Sequence, residues 1–575
     1  MQKQSQLPLP TPTKIKLLSK ILSRKEKFIL YLAVVVLIAS LVTWAISYFL
    51  SSTEKVPTFG GEITEGMVGQ PMYINPILSQ SNEIDSSLSR LIFSSLMTYD
   101  SQGNLVNDLA ESYEVSSDGK KYTFKIKSGI KWHDKTDLTA KDIAFTLKLI
   151  QDQAFKSPLR GNFQDVKVET IDDQTIAFVL DEPYSPFLNK LTFGILPAHI
   201  FEEMGADKFL ISDFNLKPIG SGPFEFVSLK QDEDGNILSM QLEANPDYFA
   251  GRPFLDKIDI NFYPEENEMI EAYNKKEIDS FGLLSYQKIE EFKNKKDTSL
   301  VISNTPRYFA IFLNETKSLP LADKNVRKAL SLLTNRDEIV KEVFGEGAVP
   351  VYSPILPHFE NFQSITKENI QEYQYNSEKA EKILDEAGWK KEADGIRKKD
   401  GNVFEITLIT TDRSDLIKVS ELVKKRWEEF GIKVNIQALS FNDVKQNFIR
   451  PREYQAIIIG QEYLGNDPDP YFFFHSSGKK DPGRNISLFD NEEADKLLIE
   501  ARQTQEAEKR KELYRKFEEI FFQENPAIFL FSPNYVYVAS SKIKGIDNQK
   551  LINSSFRFNH INKWYLKTKR QKKQS

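Results

Sequence analysis

Asp467 and Asp469, in Asp467-Pro468-Asp469-Pro470, are close enough in the chain to act as an acid/base carboxylate pair. His133 beside Asp134 could serve as an oriented base, and Ser221 in Ile219-Gly220-Ser221-Gly222 could offer a hydroxyl nucleophile. Each has a plainer reading. Among 82 acidic residues, such a pair is what chance and turn formation before proline produce. His133-Asp134 reads as a polar pair at a strand end. Ser221 has no glycine two residues before it, so the run is not a nucleophile elbow. Neither a phosphate-cradling G-x-x-x-x-G-K-[ST] run nor H-E-x-x-H occurs. The absence of cysteine excludes disulfides, thiolate catalysis, Cys-based metal sites and a lipid carried on an N-terminal Cys. His133, His199, His358, His475 and His560 are scattered, which argues against a histidine-rich metal site. Missing motifs lower the expectation of an enzyme, and no cofactor and no metal are expected.

The elements that would position a binding site must come from a large chain. With 575 residues, 40% hydrophobic, the chain is too long for one compact core, so two or more lobes are expected. Aromatic residues reach 12%, which suits a large core and also a ligand cleft lined by ring faces. Residues 1–27 hold seven Lys/Arg and one Glu, and residues 563–575 hold six Lys/Arg and no acid. The overall charge is nevertheless −6, so the body between is strongly acidic, which argues against nucleic-acid binding.

Phe28–Leu50 is uncharged and apolar, and at about 1.5 Å per residue it spans a bilayer core of about 30 Å. Basic residues precede it and Ser51-Ser52-Thr53-Glu54 follow. The positive-inside rule therefore puts the N-terminus in the cytoplasm and the body outside. A cleavable signal peptide is the competing reading, but its apolar region is normally only about 7–15 residues. A retained single-pass anchor is expected.

Along the body, Glu62–Val68 alternates as a strand, and 83–96 reads as a helix with Ile84, Leu88, Leu91 and Ile92 on one face. Ser112–Ser116 and Lys121–Lys127 form a hairpin about Asp118-Gly119, and Thr139–Asp142 is a capping box. Asn376 caps a helix that Gly388 ends, and Gly431 stops another carrying Val419, Val423 and Trp427. Strands Ile432–Ala438 and Tyr454–Gly460, helices within Glu492–Gln523, and strands Ala527–Phe531 and Tyr535–Ala539 complete an α/β pattern.

Leu109–Gly119, Tyr122–Asp134 and Leu138–Ile143 closely resemble the signature of the family 5 extracellular solute-binding proteins, the oligopeptide- and dipeptide-binding proteins of ABC importers. Lys135 stands where the family usually has Gly. Further matches follow in family order: Ile195–His199, Pro218–Phe224, Asn245–Phe249, Asn325–Leu330, Tyr375–Trp389 and Asp467–Pro470. The resemblance covers roughly residues 60–560. It implies a two-lobed α/β periplasmic-binding-protein-like fold (class II), with an extra subdomain in the first lobe, preceded here by one transmembrane helix.

The expected layout is a basic cytoplasmic tail (1–27), an anchor (28–50) and a tether (51–59). A first lobe (60–310, subdomain about 80–215), a second lobe (311–525), a return to the first lobe (526–562) and a disordered basic tail (563–575) follow. The resemblance implies a peptide ligand enclosed by hinge closure, ABC permease and ATPase partners, and a monomer. Related peptide binders hold the ligand's amine with an Asp in a W-x-[AG]-D-type segment before the D-P turn. By spacing, that Asp falls on Leu464 and the Trp on Gln461, leaving Glu462 or Asp467 for the amine, or a ligand without one. Other pocket candidates are Ser81, Asn82, Tyr308, Phe309, Asn314, Arg484 and Asn485. Alternatives are a nickel chelate, a sugar oligomer or an opine-like compound on the same fold. A surface sensor or chaperone without transport, or a hydrolase acting on envelope peptides, is a different class of alternative.

Overall fold

The computed structural model describes residues 22–283, 285–359, 362, 370–465, 467–547 and 550–573. It divides into two compact units, one made of the residues up to Phe59 with those from Lys567 onward, the other of Gly60–Leu566.

In the smaller unit, the apolar run forms a single helix, Arg24–Ser52, with no buried residue. Ser23 caps it: its backbone N–H donates to Glu26 Oε2 at 2.8 Å, and its hydroxyl accepts from the Glu26 N–H. Among the described residues it is the one helix long and apolar enough to cross a membrane. The helix runs directly into a strand, Thr53–Thr58, so 51–59 is not a loose tether. The basic C-terminus, expected to be disordered, supplies the partner: Lys567–Lys572 pairs antiparallel with Thr53–Thr58 along its whole length. Backbone pairing along every residue of the ribbon, and an Arg570 guanidinium hydrogen bond to Thr53 Oγ1 at 2.9 Å, give this lysine-rich segment a fixed place that its composition did not announce.

In the larger unit, a twelve-stranded sheet runs from Lys433–Leu439 at one edge to Phe224–Gln231 at the other. One long strand, Ala527–Ser540, ties the two halves together. Its first part pairs with Arg307–Leu313, and its second part with Thr298–Asn304 and Ser280–Leu283. The sequence suggested two strands broken near Pro533. The strand continues because its neighbour on that edge changes there: pairing with Arg307–Leu313 ends at Phe531, and pairing with Thr298–Asn304 begins at Asn534. The missing N–H of Pro533 falls in the gap.

Arg307–Leu313 shows how the second lobe is built. Phe309, Ile311 and Leu313 enter one core, with Val326, Leu330, Val419 and Trp427 from the covering helices. Tyr308, Ala310 and Phe312 enter the opposite core, with Leu498, Phe517 and Phe521. Period-two alternation thus feeds two hydrophobic layers, as a doubly covered sheet requires. The first lobe has a core drawing on residues between Ile63 and Phe262 and again on Tyr537–Trp564. A separate four-stranded sheet lies within its span, built on the hairpin Ala110–Val115 and Lys121–Ile126.

Arg307–Leu313 and Ala527–Phe531 pair with each other and feed the second lobe's cores, and the segments leading out of them are Thr305–Arg307 and Ser532–Asn534. These segments are bonded to each other. Ser532 Oγ donates to Arg307 O at 2.7 Å, and Thr305 Oγ1 donates to Pro533 O at 2.7 Å.

One local expectation resolves differently from its sequence reading. Asp134 pairs with His199 at 2.7 Å, not with His133. His133 instead accepts the Gly220 N–H at Nδ1 (3.1 Å) and lies 3.2 Å from Gly222 O at Nε2, the arrangement of a neutral ring protonated at Nε2. Burial pushes its pKa down to about 4. At Gly220 a Cβ would sit 1.9 Å from Ile92 O, so this glycine permits a close backbone approach.

Candidate ligand-binding cleft

A cavity of about 940 Å³ separates the lobes. It continues into a chamber of about 360 Å³ that shares Pro158, Asn162, Glu462, Leu464 and Arg484 with it. Each wall follows from local structure. On the first-lobe side, Asn82 Oδ1 accepts the Ile84 N–H at 2.9 Å and starts the helix Glu83–Ile92, setting Ser81, Asn82 and Glu83 on the cavity. On the second-lobe side, the strands Glu405–Thr411 and Ala456–Glu462 end at the cavity and deliver Arg413 and Glu462. Ligand sites of open α/β sheets lie at such carboxyl ends. The segments leading out of the second lobe's sheet contribute Thr305, Arg307, Asn534 and Tyr535 to the wall.

The charges on this surface fall into two classes. Arg413 is engaged, donating to Asp415 at 2.5 and 3.1 Å. Arg307 stacks on Phe309, its guanidinium 5.0 Å from the ring centroid. Arg307, Arg484 and Glu462 have no ion-pair partner among the described residues. Glu462 is reached by solvent yet walled by both lobes. Desolvation raises its carboxyl above the ordinary range; Glu83, across the cavity, adds to the rise and Arg307 opposes it. In the smaller chamber, burial and the charge of Arg502 push Lys190 down to about 8, with Asp469 opposing. Tyr535 Oη and Asn534 Oδ1 are buried polar atoms of cavity-lining residues with no hydrogen-bond partner among the described residues.

The structure sorts the sequence candidates. Ser81, Asn82, Glu462, Leu464 and Arg484 line the cavity together. Leu464 is 48% exposed, an apolar side chain left open on the cavity. Gln461 lies just behind, accepting from Tyr308 Oη at 2.5 Å and donating to Arg484 O at 3.0 Å. Tyr308 and Phe309 are buried on the two faces of a covered strand and do not line the cavity. Asn314 closes the end of that strand, donating to Arg452 O at 3.0 Å. Asn485 is fully buried and bonds Phe489 O at 2.8 Å, fixing its own loop. Asp467 is held by Arg510, one contact at 2.7 Å, and does not line the cavity. Asp469 accepts from Arg502 at 2.8–3.1 Å and from Tyr184 Oη of the first lobe at 3.1 Å. Glu83, Arg307, Arg413 and Tyr535 were missed. Arg413 was findable, standing between a strand and the helix it precedes; the others carry no local signal.

Among the described residues no group of three His, Cys, Asp or Glu side chains could hold a metal ion. The site offers unpaired charges of both signs and free polar atoms in a roomy cleft, which is equipment for holding a polar solute.

The family model for bacterial extracellular solute-binding proteins, family 5 (middle region), matches residues 104–485. The oligopeptide-binding protein AppA of Bacillus subtilis (strain 168) is 32% identical over 503 residues, covering 85% of this chain and 89% of AppA. The chain is a family 5 extracellular solute-binding protein. Members of this family bind solutes and are not enzymes, and as one of them the chain is the substrate-binding component of an ABC importer. This family 5 protein superposes on the solved structure of Bacillus subtilis AppA in complex with a nonapeptide with a TM-score of 0.70 at 29% identity, covering 89% of this chain and 100% of that one. Against NikZ from Campylobacter jejuni in complex with Ni(L-His) the TM-score is 0.71 at 25% identity, covering 88% and 99%.

Proposed function

We propose that this binding protein captures peptides between its lobes, closes about the crossings at Thr305–Arg307 and Ser532–Asn534, and delivers them to a permease. The observation carrying this reading is the interlobe cavity of about 940 Å³ with carboxylates facing each other from opposite lobes, Glu83 and Glu462, and unpaired guanidiniums, Arg307 and Arg484. A peptide in extended form has an amine at one end and a carboxylate at the other, and capture of both charges gives affinity independent of its side chains. An amine between Glu83 and Glu462 relieves their repulsion. Leu464 offers no carboxylate, and Asp467 is already neutralised by Arg510, so Glu462 takes the amine. Wet space around Leu464 and Arg484 accommodates varied side chains through water.

The helix Arg24–Ser52 keeps the protein at the membrane as a single-pass anchor, with the N-terminus cytoplasmic and the body outside, which raises its concentration at the permease. It acts as a monomer.

The test is thermal unfolding of the purified chain with pooled peptides from dipeptides to nonapeptides, in free and N-acetylated forms. Free peptides raise the melting temperature and acetylated ones do so far less. A rise with a metal chelate or an oligosaccharide, and none with any peptide, would overturn the proposal.

A further inference from the structure

The paired ends of the chain carry a feature that solute capture does not use. Lys55, Lys567, Lys569, Arg570 and Lys572 sit on a two-stranded ribbon whose one acidic residue is Glu54. In the antiparallel register Lys55 faces Arg570 and Thr53 faces Lys572. Directly opposed residues share a face, so Lys55, Arg570 and Lys572 stand together with Thr53, Pro57 and Thr568. Glu54 faces Gln571 and belongs to the other side. Residues Lys567–Lys572 are all exposed, and among the described residues none of the ribbon's cations has an acidic partner.

A solvated tail would have no fixed address, and this one does. Lys573 N donates to Ser52 O at 3.0 Å, at the last residue of the apolar helix. Arg570 Nη1 donates to Thr53 Oγ1 at 2.9 Å, and its guanidinium lies 5.8 Å from the ring of Phe49 in the helix's last turn. Trp44 and Tyr48, stacked at 5.9 Å, are the kind of residues that mark the membrane interface at this end of the helix. At about 3.3 Å per residue, Lys55 and Arg570 lie within about 10 Å of the helix end, about one Debye length at physiological salt. Clustered cations beside a membrane helix attract anionic headgroups.

We propose that this ribbon is a lipid-binding element: the face carrying Lys55, Arg570 and Lys572 docks on the phosphates of anionic phospholipids in the leaflet facing the body. The proposal rests on Arg24–Ser52 spanning the membrane. Docking pins the strand that follows the helix and the C-terminal strand to the bilayer surface together.

The chain has no cysteine, so Thr568→Cys gives a unique site on the docking face for an environment-sensitive fluorophore. The full chain is placed in nanodiscs of phosphatidylcholine, with or without phosphatidylglycerol. The expected result is a blue shift and about threefold or greater protection from iodide in discs with phosphatidylglycerol, lost at high salt. Lys55→Gln with Lys572→Gln, which leaves the Arg570–Thr53 contact intact, returns the signal to its phosphatidylcholine value. Lys567→Gln with Lys569→Gln, on the other face, retains most of it. Equal signals in the two lipids, or insensitivity to Lys55→Gln with Lys572→Gln, would overturn the proposal while leaving the anchor intact. Soluble glycerophosphoglycerol giving the same response in phosphatidylcholine discs would overturn the commitment to lipid. Failure of the chain to enter discs at all would overturn the anchor, and this proposal with it.

Discussion

The residues on either side of Gly465 meet opposite fates. Before it, Glu462 and Leu464 open onto the interlobe cavity, and Glu462 has no partner among the described residues. After it, Asp467 and Asp469 are locked by Arg510 and Arg502. Both stretches are acidic and adjacent in sequence, and of the two the paired aspartates have the stronger appearance of a site. A carboxylate already neutralised by a buried guanidinium has nothing left to offer a ligand, whereas an accessible, raised one does. The difference is set by what the helices Glu492–Gln503 and Ala507–Glu524 present from below.

The contrast is most severely tested from its locked side. Asp467→Ala leaves Arg510, 4% exposed, without its partner, and is expected to cost about 3–5 kcal/mol in denaturant unfolding. Peptide affinity of the remaining folded protein should stay within about threefold, since the group touches no ligand. A loss of affinity without a loss of stability would reverse the two roles.

Acid titration separates locked from open groups again. His133 is held neutral, its folded pKa of about 4 lying below its ordinary 6.5. Its contribution to stability is therefore complete above the ordinary value and lost as pH falls from there toward 4, by up to about 3 kcal/mol. Urea midpoints across that range check it, with His133→Gln flattening the slope. Glu462, raised by desolvation, should show in binding instead: its carboxylate is needed, so peptide affinity falls as pH drops through its raised pKa.

Glu462→Gln is expected to weaken binding of free peptides by about 10- to 100-fold, to spare N-acetylated ones, and to leave the unfolding midpoint almost unchanged. Calorimetric titration reads both affinities. The smallest effect belongs to Leu464→Asp. A second carboxylate in the open segment should strengthen free-amine binding about threefold to tenfold, the gain reduced by its repulsion of Glu462.

Much of the scaffold was legible. The hairpin about Asp118-Gly119, the Thr139–Asp142 box and the Asn376 cap appear where their local chemistry put them, because caps and turns are decided by a few neighbours. The helix expected over 83–96 stops at Ile92, because Ile92–Ser95 is drawn into backbone pairing with residues about a hundred or more positions away: Gly222 N donates to Ile92 O, Ile195 N donates to Ser94 O, and Ser95 bridges Gly194. The site was legible only in part. Leu464 and its neighbour Glu462 could be named from their spacing to the Asp-Pro turn, Ser81 and Asn82 from their place before the first helix, and Arg484 from its charge, but Tyr308 and Phe309 could not be told from cleft aromatics. Whether a strand is covered on both faces depends on helices far along the chain. The C-terminal ribbon was hidden for the same reason: its partner strand lies at the other end of the sequence.

The central claim is that the unpaired charges on the cavity hold the two ends of a peptide. Mass spectrometry of small molecules released by denaturing the full chain, purified without added ligand, tests it most directly. The account predicts a set of peptides with free amino termini and varied side chains, depleted in Glu462→Gln. Release of a chelated metal or an oligosaccharide, with no peptide above background, would contradict it.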